Sequence, residues 1–230
     1  SKDLYIGILS HELRNPLNAI SMSAELLCNV NSPNGLLNER QATLAMQISS
    51  STSRVIKIIN NLLEITRARF GSGLPIIRVP MDMGMVSKEI VNEMQIINPK
   101  RNIIITVSGG LEGNWDMPRI GQVFSNLIGN AIQYGSPSSP VVVSVKGSKK
   151  EVVISVQNEG VPISPEKITT IFDSLTRAVI DKGDHPLTVS LGLGLYITKE
   201  IVVAHGGIIE AKSSKKEGTT FTAHFPRSVS

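Results

Sequence analysis

Apolar residues recur every three or four positions from the start of the chain. Ile6, Leu9, Leu13, Leu17, Ile20, Ala24 and Leu27 advance along one helical stripe, which predicts an amphipathic helix over residues 1 to about 30. Asn31-Ser32-Pro33-Asn34-Gly35 is a turn cluster. Asn38 follows with Gln41 three residues on, the pattern of a capping box. A second helix is expected to about Arg69, with Leu44, Ile48, Val55, Ile58, Leu62 and Ile65 on one face and Ile56, Ile59 and Leu63 on a second apolar stripe. Faces this wide cannot be buried within one antiparallel hairpin. Two hairpins can bury them, so the pattern predicts a homodimer built on a four-helix bundle.

The pattern changes after Phe70-Gly71-Ser72-Gly73-Leu74-Pro75, which reads as a helix stop and linker. Helical periodicity returns over Met83–Ile97 and Met117–Tyr134. Ile103–Val107, Val141–Val145, Val152–Val156, Ile208–Ala211 and Thr220–Phe225 read as strands by alternation and β-branched content. Elements in this order predict an α/β sandwich, a mixed sheet covered by helices on one face. The expected division is 1–70 for the helical domain, 71–78 for the linker and 79–228 for the α/β domain. The stretch from Ser164 to Ser190 is polar and weakly periodic. Long loops inside compact domains are usually functional.

Composition narrows the classes. The apolar share of 41% is enough for a real core, and aromatics at only 4% leave that core to Ile, Val and Leu. A net charge of +4 favours acidic or phosphate-bearing ligands. There is no dense Lys/Arg run interleaved with aromatics, which argues against nucleic acid. The lone Cys28 cannot form an internal disulfide, which fits a cytoplasmic location. No stretch has the length of a membrane span. The chain opens already inside a helical pattern, so a sensing region upstream is expected.

One constellation lies in the first helix, Ser10-His11-Glu12-Leu13-Arg14-Asn15-Pro16-Leu17. At about 100° per residue, His11 lies roughly 200° from both Leu9 and Leu13 and so points away from the apolar stripe. Pro16 has no N–H to give the carbonyl of Glu12, so the helix is expected to bend just past His11. Glu12 is a candidate to hydrogen-bond Nδ1, which leaves Nε2 as a nucleophile. A surface histidine on a charged helical face is the plainer reading of this segment alone.

The second constellation is spread over the α/β region. No G-x-x-x-x-G-K-[ST] occurs, which excludes a Walker-type phosphate loop. Asn126 and Asn130 stand four apart on one helix face with Gly129 beside them, a pair of amides able to ligate Mg²⁺ and phosphate oxygens. Asn158-Glu159-Gly160-Val161-Pro162-Ile163 follows a strand and could approach a flat ligand closely. Gly192-Leu193-Gly194-Leu195 precedes a helix expected from Tyr196, where free backbone N–H groups and the helix dipole favour phosphate.

Taken in order, these segments resemble the catalytic region of sensor histidine kinases. The first matches the H-box of the commonest dimerisation type. Asn126–Ala131 is similar to the N-box, Asn158–Ile163 to the G1-box, Ile171-Phe172-Asp173 to the F-box and Gly192–Leu195 to the G2-box, with His205-Gly206-Gly207 and Gly218-Thr219-Thr220-Phe221 also in pattern. The resemblance covers nearly the whole chain. Asn158-Glu159-Gly160 with Pro162, and Phe172-Asp173-Ser174-Leu175, look most like bacteriophytochrome and related PAS-linked kinases. It implies a Bergerat-type ATP-binding fold, kin to the gyrase and heat-shock chaperone ATPases.

The resemblance also implies a mechanism. His11 Nε2 attacks the γ-phosphate of ATP, with Glu12 as base or orienting group, and the phosphoryl group passes to an aspartate of a response-regulator receiver domain. Asn15 would position water for dephosphorylating that regulator. Asn130 would carry Mg²⁺. ATP would be framed by Asn126, Asn130, Gln133, Tyr134, Asn158, Gly160, Pro162, Ile163, Phe172, Arg177, Gly192, Leu193, Gly194, Leu195 and Thr220, with Lys182 a further lid candidate. Phe172 is expected to pack the lid base. The family usually carries Asp at position 158, Lys or Arg at 133 and Gly at 190, so Asn158, Gln133 and Ser190 imply a modest ATP affinity. The rival readings are a degenerate phosphotransfer scaffold, a mainly phosphatase form, and a gyrase- or chaperone-like ATPase, which the His11 helix argues against.

Overall fold

The computed structural model describes residues 16–27, 39–70, 74–173 and 193–227. The chain divides into two compact units between Thr66 and Arg67. His11, Glu12, Asn15, the turn at Asn31–Gly35, Asn38, Arg177, Lys182, Ser190 and Gly192 lie outside the described residues.

The first unit is helical. Residues 16–27 form α1, and Glu39–Phe70 form α2. Ser23 Oγ of α1 donates to Gln47 Oε1 of α2 at 3.3 Å, so the two helices lie side by side at that level. Leu44 and Ile58 are buried, yet Leu17, Met22, Leu26, Met46, Ile56 and Ile59 are exposed.

The second unit is a two-layer α/β structure. Its elements run β1 (Val79–Asp82), α3 (Met83–Ile97), β2 (Ile103–Ser108), β3 (Glu112–Trp115), α4 (Met117–Tyr134), β4 (Val141–Gly147), β5 (Glu151–Asn158), α5 (Pro165–Thr170), α6 (Leu193–Ala204), β6 (Ile208–Ser214) and β7 (Gly218–Pro226). The main sheet has the order β2-β4-β5-β7-β6. Its β2–β4 pair is parallel and its other pairs are antiparallel, which makes it the mixed sheet expected. Helices α3, α4 and α6 pack together on one face.

Both long helices begin where an aspartate caps them. Asp82 Oδ1 accepts from the Gly84 N–H at 2.7 Å, and Asp116 Oδ1 accepts from the Arg119 N–H at 3.1 Å. The core is the inner face of the sheet against α4. Phe124, Leu127 and Ile128 of α4 and Val143, Ile154, Val156, Ala223 and Phe225 of the sheet are all fully buried. Alternation sends the other side chains outward. One row across the outer face runs Thr106, Ser144, Ser155, Thr222 and Glu210, as an antiparallel sheet open to water on one side should.

Three elements were not expected. β1 and β3 pair antiparallel, with Val79 opposite Trp115. Their sequences, Val-Pro-Met-Asp and Glu-Gly-Asn-Trp, carry poor strand formers, and tertiary packing supplies what propensity does not. Trp115 is fully buried, and its indole N–H donates to the Pro226 carbonyl at 3.0 Å. The third is α5, which interrupts the expected loop from Ser164. Ser164 at the N-cap, Pro165 at the first helical position and Glu166 in the first turn are ordinary helix-start signals.

Candidate active site

The site is built around the polar stripe of α4. That helix is strongly two-sided: Ile120, Val123, Phe124, Leu127, Ile128 and Ala131 are buried. The opposite side carries Asn126, Asn130 and Gln133, spaced by four and three residues, with Gly129 next to Asn130. Asn126 is fastened. Its Nδ2 donates to the Gly194 carbonyl at 3.2 Å and to Thr198 Oγ1 at 3.3 Å, while Thr198 Oγ1 donates to the same carbonyl at 2.7 Å. The first turn of α6 is thereby pinned to α4. Asn130, half-buried one turn on, makes no side-chain hydrogen bond among the described residues. Beside it, a Cβ on Gly129 would have no heavy atom within 4 Å. The helix thus presents a free amide next to open space.

The turn Asn158–Ile163 closes the far end of that stripe. Gly135 and Gly160 form an isolated antiparallel bridge, and the Ser136 N–H donates to the Glu159 carbonyl at 2.7 Å. Ser139 Oγ reaches the Glu159 carboxylate at 2.7 Å. The Ile163 N–H donates to Ser213 Oγ at 2.9 Å, and Ser213 Oγ is 2.7 Å from Thr219 Oγ1. A Cβ on Gly160 would sit 2.7 Å from the Tyr134 carbonyl oxygen, so only glycine lets the turn meet the end of α4 so closely. Gly218, at φ 71°, plays the same part against Asn158, whose carbonyl oxygen lies 2.2 Å from where its Cβ would be.

These contacts place the expected site residues unevenly. Asn126, Asn130, Gln133 and Tyr134 share one end of α4 with Asn158, Gly160, Pro162 and Ile163. Asn158 is buried at the end of β5, and its Nδ2 donates to the Glu159 carbonyl at 3.2 Å. Phe172 packs edge-on against Phe221, 6.1 Å between centroids. Its neighbour Asp173 pairs with Lys199 of α6 at 3.5 Å.

The strand register and the start of α6 differ from the expectation at two points. Thr220 does not share a face with Asn158. The register pairs Asn158 with Thr219, and Thr219 is buried beside it, while Thr220 sits opposite Gln157 on the outer face. Side chains alternate along a strand, so the threonine on the Asn158 side is Thr219. Leu193 and Leu195 are buried core residues. They can offer a ligand only backbone N–H groups, from the first turn of a helix that starts at Leu193 rather than Tyr196.

A second polar centre was missed. His205 is fully buried, with Nδ1 2.8 Å from the Ile201 carbonyl and Nε2 accepting from the Asp116 N–H at 3.0 Å. That pair of bonds fits a neutral imidazole protonated on Nδ1. Burial lowers its pKa, partly offset by the Ile201 hydrogen bond. Asp116 Oδ2 in turn accepts from the Ile77 N–H at 2.8 Å. The buried histidine thus ties the end of α6 to the start of α4, and Asp116 extends the tie to the segment that enters the unit at Ile77. Its signal was the His-Gly-Gly run after a helical stripe.

Comparison with known proteins gives the family and the fold. A family described as histidine kinase-, DNA gyrase B-, and HSP90-like ATPase matches residues 115–229, and the His Kinase A (phospho-acceptor) domain matches residues 1–71. The chain belongs to the histidine kinases. This kinase core is 32% identical over 221 residues to a bacteriophytochrome of Pseudomonas aeruginosa, covering 96% of the chain and 29% of that protein. It spans between 29% and 38% of the length of the curated relatives it matches. Full-length ShkA in complex with AMPPNP superposes with a TM-score of 0.69 at 22% identity, over 98% of this chain and 46% of that one. Histidine kinase ThkA in complex with response regulator protein TrrA gives 0.67 at 21%, over 97% and 61%. At these identities the superpositions show a shared fold. Among the described residues, no helix of the kinase core is long and apolar enough to cross a membrane.

Proposed function

We propose that this chain is the catalytic core of a sensor histidine kinase that phosphorylates itself on His11 and passes the phosphoryl group to an aspartate of a response-regulator receiver domain. The observation that carries the reading is the α4 stripe, with Asn126 locking α6 in place and Asn130 free beside the open space at Gly129. The AMPPNP complex of one structural neighbour and the response-regulator complex of another support it.

Residues 1–70 serve as the dimerising phospho-acceptor domain, 71–78 as the linker and 79–228 as the ATP-binding domain. Exposed Leu17, Met22, Leu26, Met46, Ile56 and Ile59 supply the apolar surface that a second copy would cover. Asn158, Gly160 and Thr219 frame the base, Asn130 lies toward the phosphates, and the first N–H groups of α6 face them. No group of three His, Cys, Asp or Glu side chains able to hold a metal occurs among the described residues. Asn130 with the phosphate oxygens and water is a donor set that suits Mg²⁺, which keeps several waters. Mg²⁺ would neutralise charge on the phosphates. His11 Nε2 attacks the terminal phosphorus, an N–P bond forms, the bridging P–O bond breaks and ADP leaves, with Glu12 holding the imidazole through Nδ1. The protein's part is mostly positioning. The full core is placed in the cytoplasm.

Incubation with Mg-ATP followed by mapping of an acid-labile phosphate tests this. Label is expected on His11 alone, lost in His11→Gln with dimer and nucleotide binding intact. Asn130→Ala is expected to lose Mg-dependent nucleotide binding without unfolding. Persistent labelling of His11→Gln would sink the assignment.

A further inference from the structure

The base end of the pocket holds an arginine that no expectation used. Arg101 lies in the turn between α3 and β2. Its Nη1 donates to the Ser136 carbonyl at 2.7 Å. Its Nε and Nη2 are buried and have no hydrogen-bond partner among the described residues. Buried donors are almost always paired, and a charged one left unpaired is costly, so the position calls for an explanation. Nη2 is 3.1 Å from the point where a Cβ on Gly135 would stand, and the Cβ of Asn158 is 3.1 Å from the same point. The guanidinium and the side chain at position 158 therefore both border the space in front of Gly135 and lie close to each other.

We propose that Arg101 is a positioning residue that sets base recognition through position 158. This rests on the reading of Asn158–Ile163 as the base-binding turn. Nε and Nη2 are too enclosed to touch a nucleotide in the open pocket, so Arg101 acts through its neighbours. It does so in two ways. Through Ser136 it holds the segment that hydrogen-bonds Glu159, fixing the turn on which Asn158 rides. Through its charge it governs which side chain at 158 is free to face a base. A carboxylate there would find a buried, unpaired guanidinium within reach and pair with it, turning its oxygens away from the pocket. A neutral amide is not captured in this way. Asn158 and Arg101 are thus one coupled unit, and a carboxylate at 158 would serve the base only where the cation close to it is gone.

The test is a double-mutant cycle on the full chain, using Asn158→Asp, Arg101→Gln and the two combined, with Arg101→Lys as a conservative control. Thermal midpoints without nucleotide and calorimetric titration with a non-hydrolysable ATP analogue are both measured. In the presence of Arg101, Asn158→Asp is expected to raise the thermal midpoint and leave nucleotide affinity within about twofold. In the Arg101→Gln background it is expected to tighten binding roughly fivefold, the gap between a neutral and a charge-assisted hydrogen bond, and to give no thermal gain. Arg101→Lys should retain the block on tightening, because it keeps the charge. Equal effects of Asn158→Asp in both backgrounds, on both readouts, would overturn the coupling while leaving the nucleotide site in place. No binding of the analogue by the unaltered protein would overturn the nucleotide site and the proposal with it, whatever the thermal midpoints show.

Discussion

The helical unit and the α/β unit differ in how much apolar core each closes by itself. In the α/β unit, Trp115, Phe124, Leu127, Ile154 and Phe225 are closed off completely, and even its buried polar groups are mostly paired, as His205 and Asp116 show. In the helical unit, buried Leu44 and Ile58 stand beside Leu17, Met22, Met46 and Ile56, all more than half exposed. At about 25 cal/mol per Å² of apolar area, such side chains are worth covering. The α/β unit also leaves Met85, Ile96, Ile97 and Ile208 well exposed, but it closes a large core of its own, whereas among the described residues the helical unit buries only Leu44 and Ile58 of its large apolar side chains. Under the proposed function the α/β unit must be stable by itself and the helical unit must present a surface.

The coarsest way to break the comparison is to cut the chain at the linker. Residues 75–230 are expected to be a folded monomer that binds nucleotide and takes no label, because His11 is gone. Residues 1–70 are expected to be dimeric at micromolar concentration. Sedimentation of both pieces checks this, and a monomeric 1–70 or a dimeric 75–230 would contradict it.

How much of this was legible in the sequence depended on how local the signals are. Helices α3 and α4 were readable to the residue because Asp82 and Asp116 cap them and their apolar stripes are unbroken. The five strands of the main sheet were found by alternation, each a little short. β1 and β3 were not, since Pro80, Gly113 and Asn114 speak against strand and the pairing exists to seat Trp115 under the Pro226 carbonyl, a contact over a long sequence distance. The site followed the same rule. Asn126 and Asn130 were visible from their spacing on one helix. Arg101 became relevant only when the fold brought it close to Asn158, which no spacing reveals. Thr219 is the exception. Phe221 is a core residue, and period two places Thr219 with it, so the correct threonine could have been read from the strand alone.

A finer test asks whether the closure of the α/β unit fails in acid. His205 is held neutral, its pKa lowered from 6.5 mainly by burial, with Arg78 adding to the lowering and Asp116 and the Ile201 carbonyl opposing it. Protonation would put a hydrogen on Nε2, where the Asp116 N–H now donates. The unfolded chain takes up its proton near the ordinary value and the folded one only below it. The stabilising contribution is therefore complete above about pH 6.5 and is lost as the pH falls from there toward the folded value. The thermal midpoint of residues 75–230 is expected to drop between about pH 8 and about pH 5. In His205→Gln, which can still accept from Asp116 but cannot titrate, that drop should shrink while the midpoint at neutral pH falls. The same slope in both proteins would show that other groups account for it.

The smallest expected effect separates the two faces of one strand. Thr219 and Thr220 are adjacent and chemically identical, and only the pleat distinguishes them. Thr219 is buried on the α4 side, paired across the sheet with Asn158 and hydrogen-bonded to Ser213, which in turn receives the Ile163 N–H. Thr220 lies on the outer face, opposite Gln157 and Lys212. Replacing Thr219 by valine keeps the shape and removes the hydroxyl, so Ser213 loses one partner and the turn at Pro162–Ile163 loses part of its tether. A neutral hydrogen bond is worth about 1 kcal/mol, so affinity for an ATP analogue should weaken by up to roughly fivefold with little change in the thermal midpoint. Thr220→Val leaves every contact of the pocket in place, and its affinity should stay within about 1.5-fold of the unaltered protein. If Thr220→Val weakened binding as much as Thr219→Val, the register between β5 and β7 would not be what positions the pocket, and the turn would have to be held by its attachment to α4 alone.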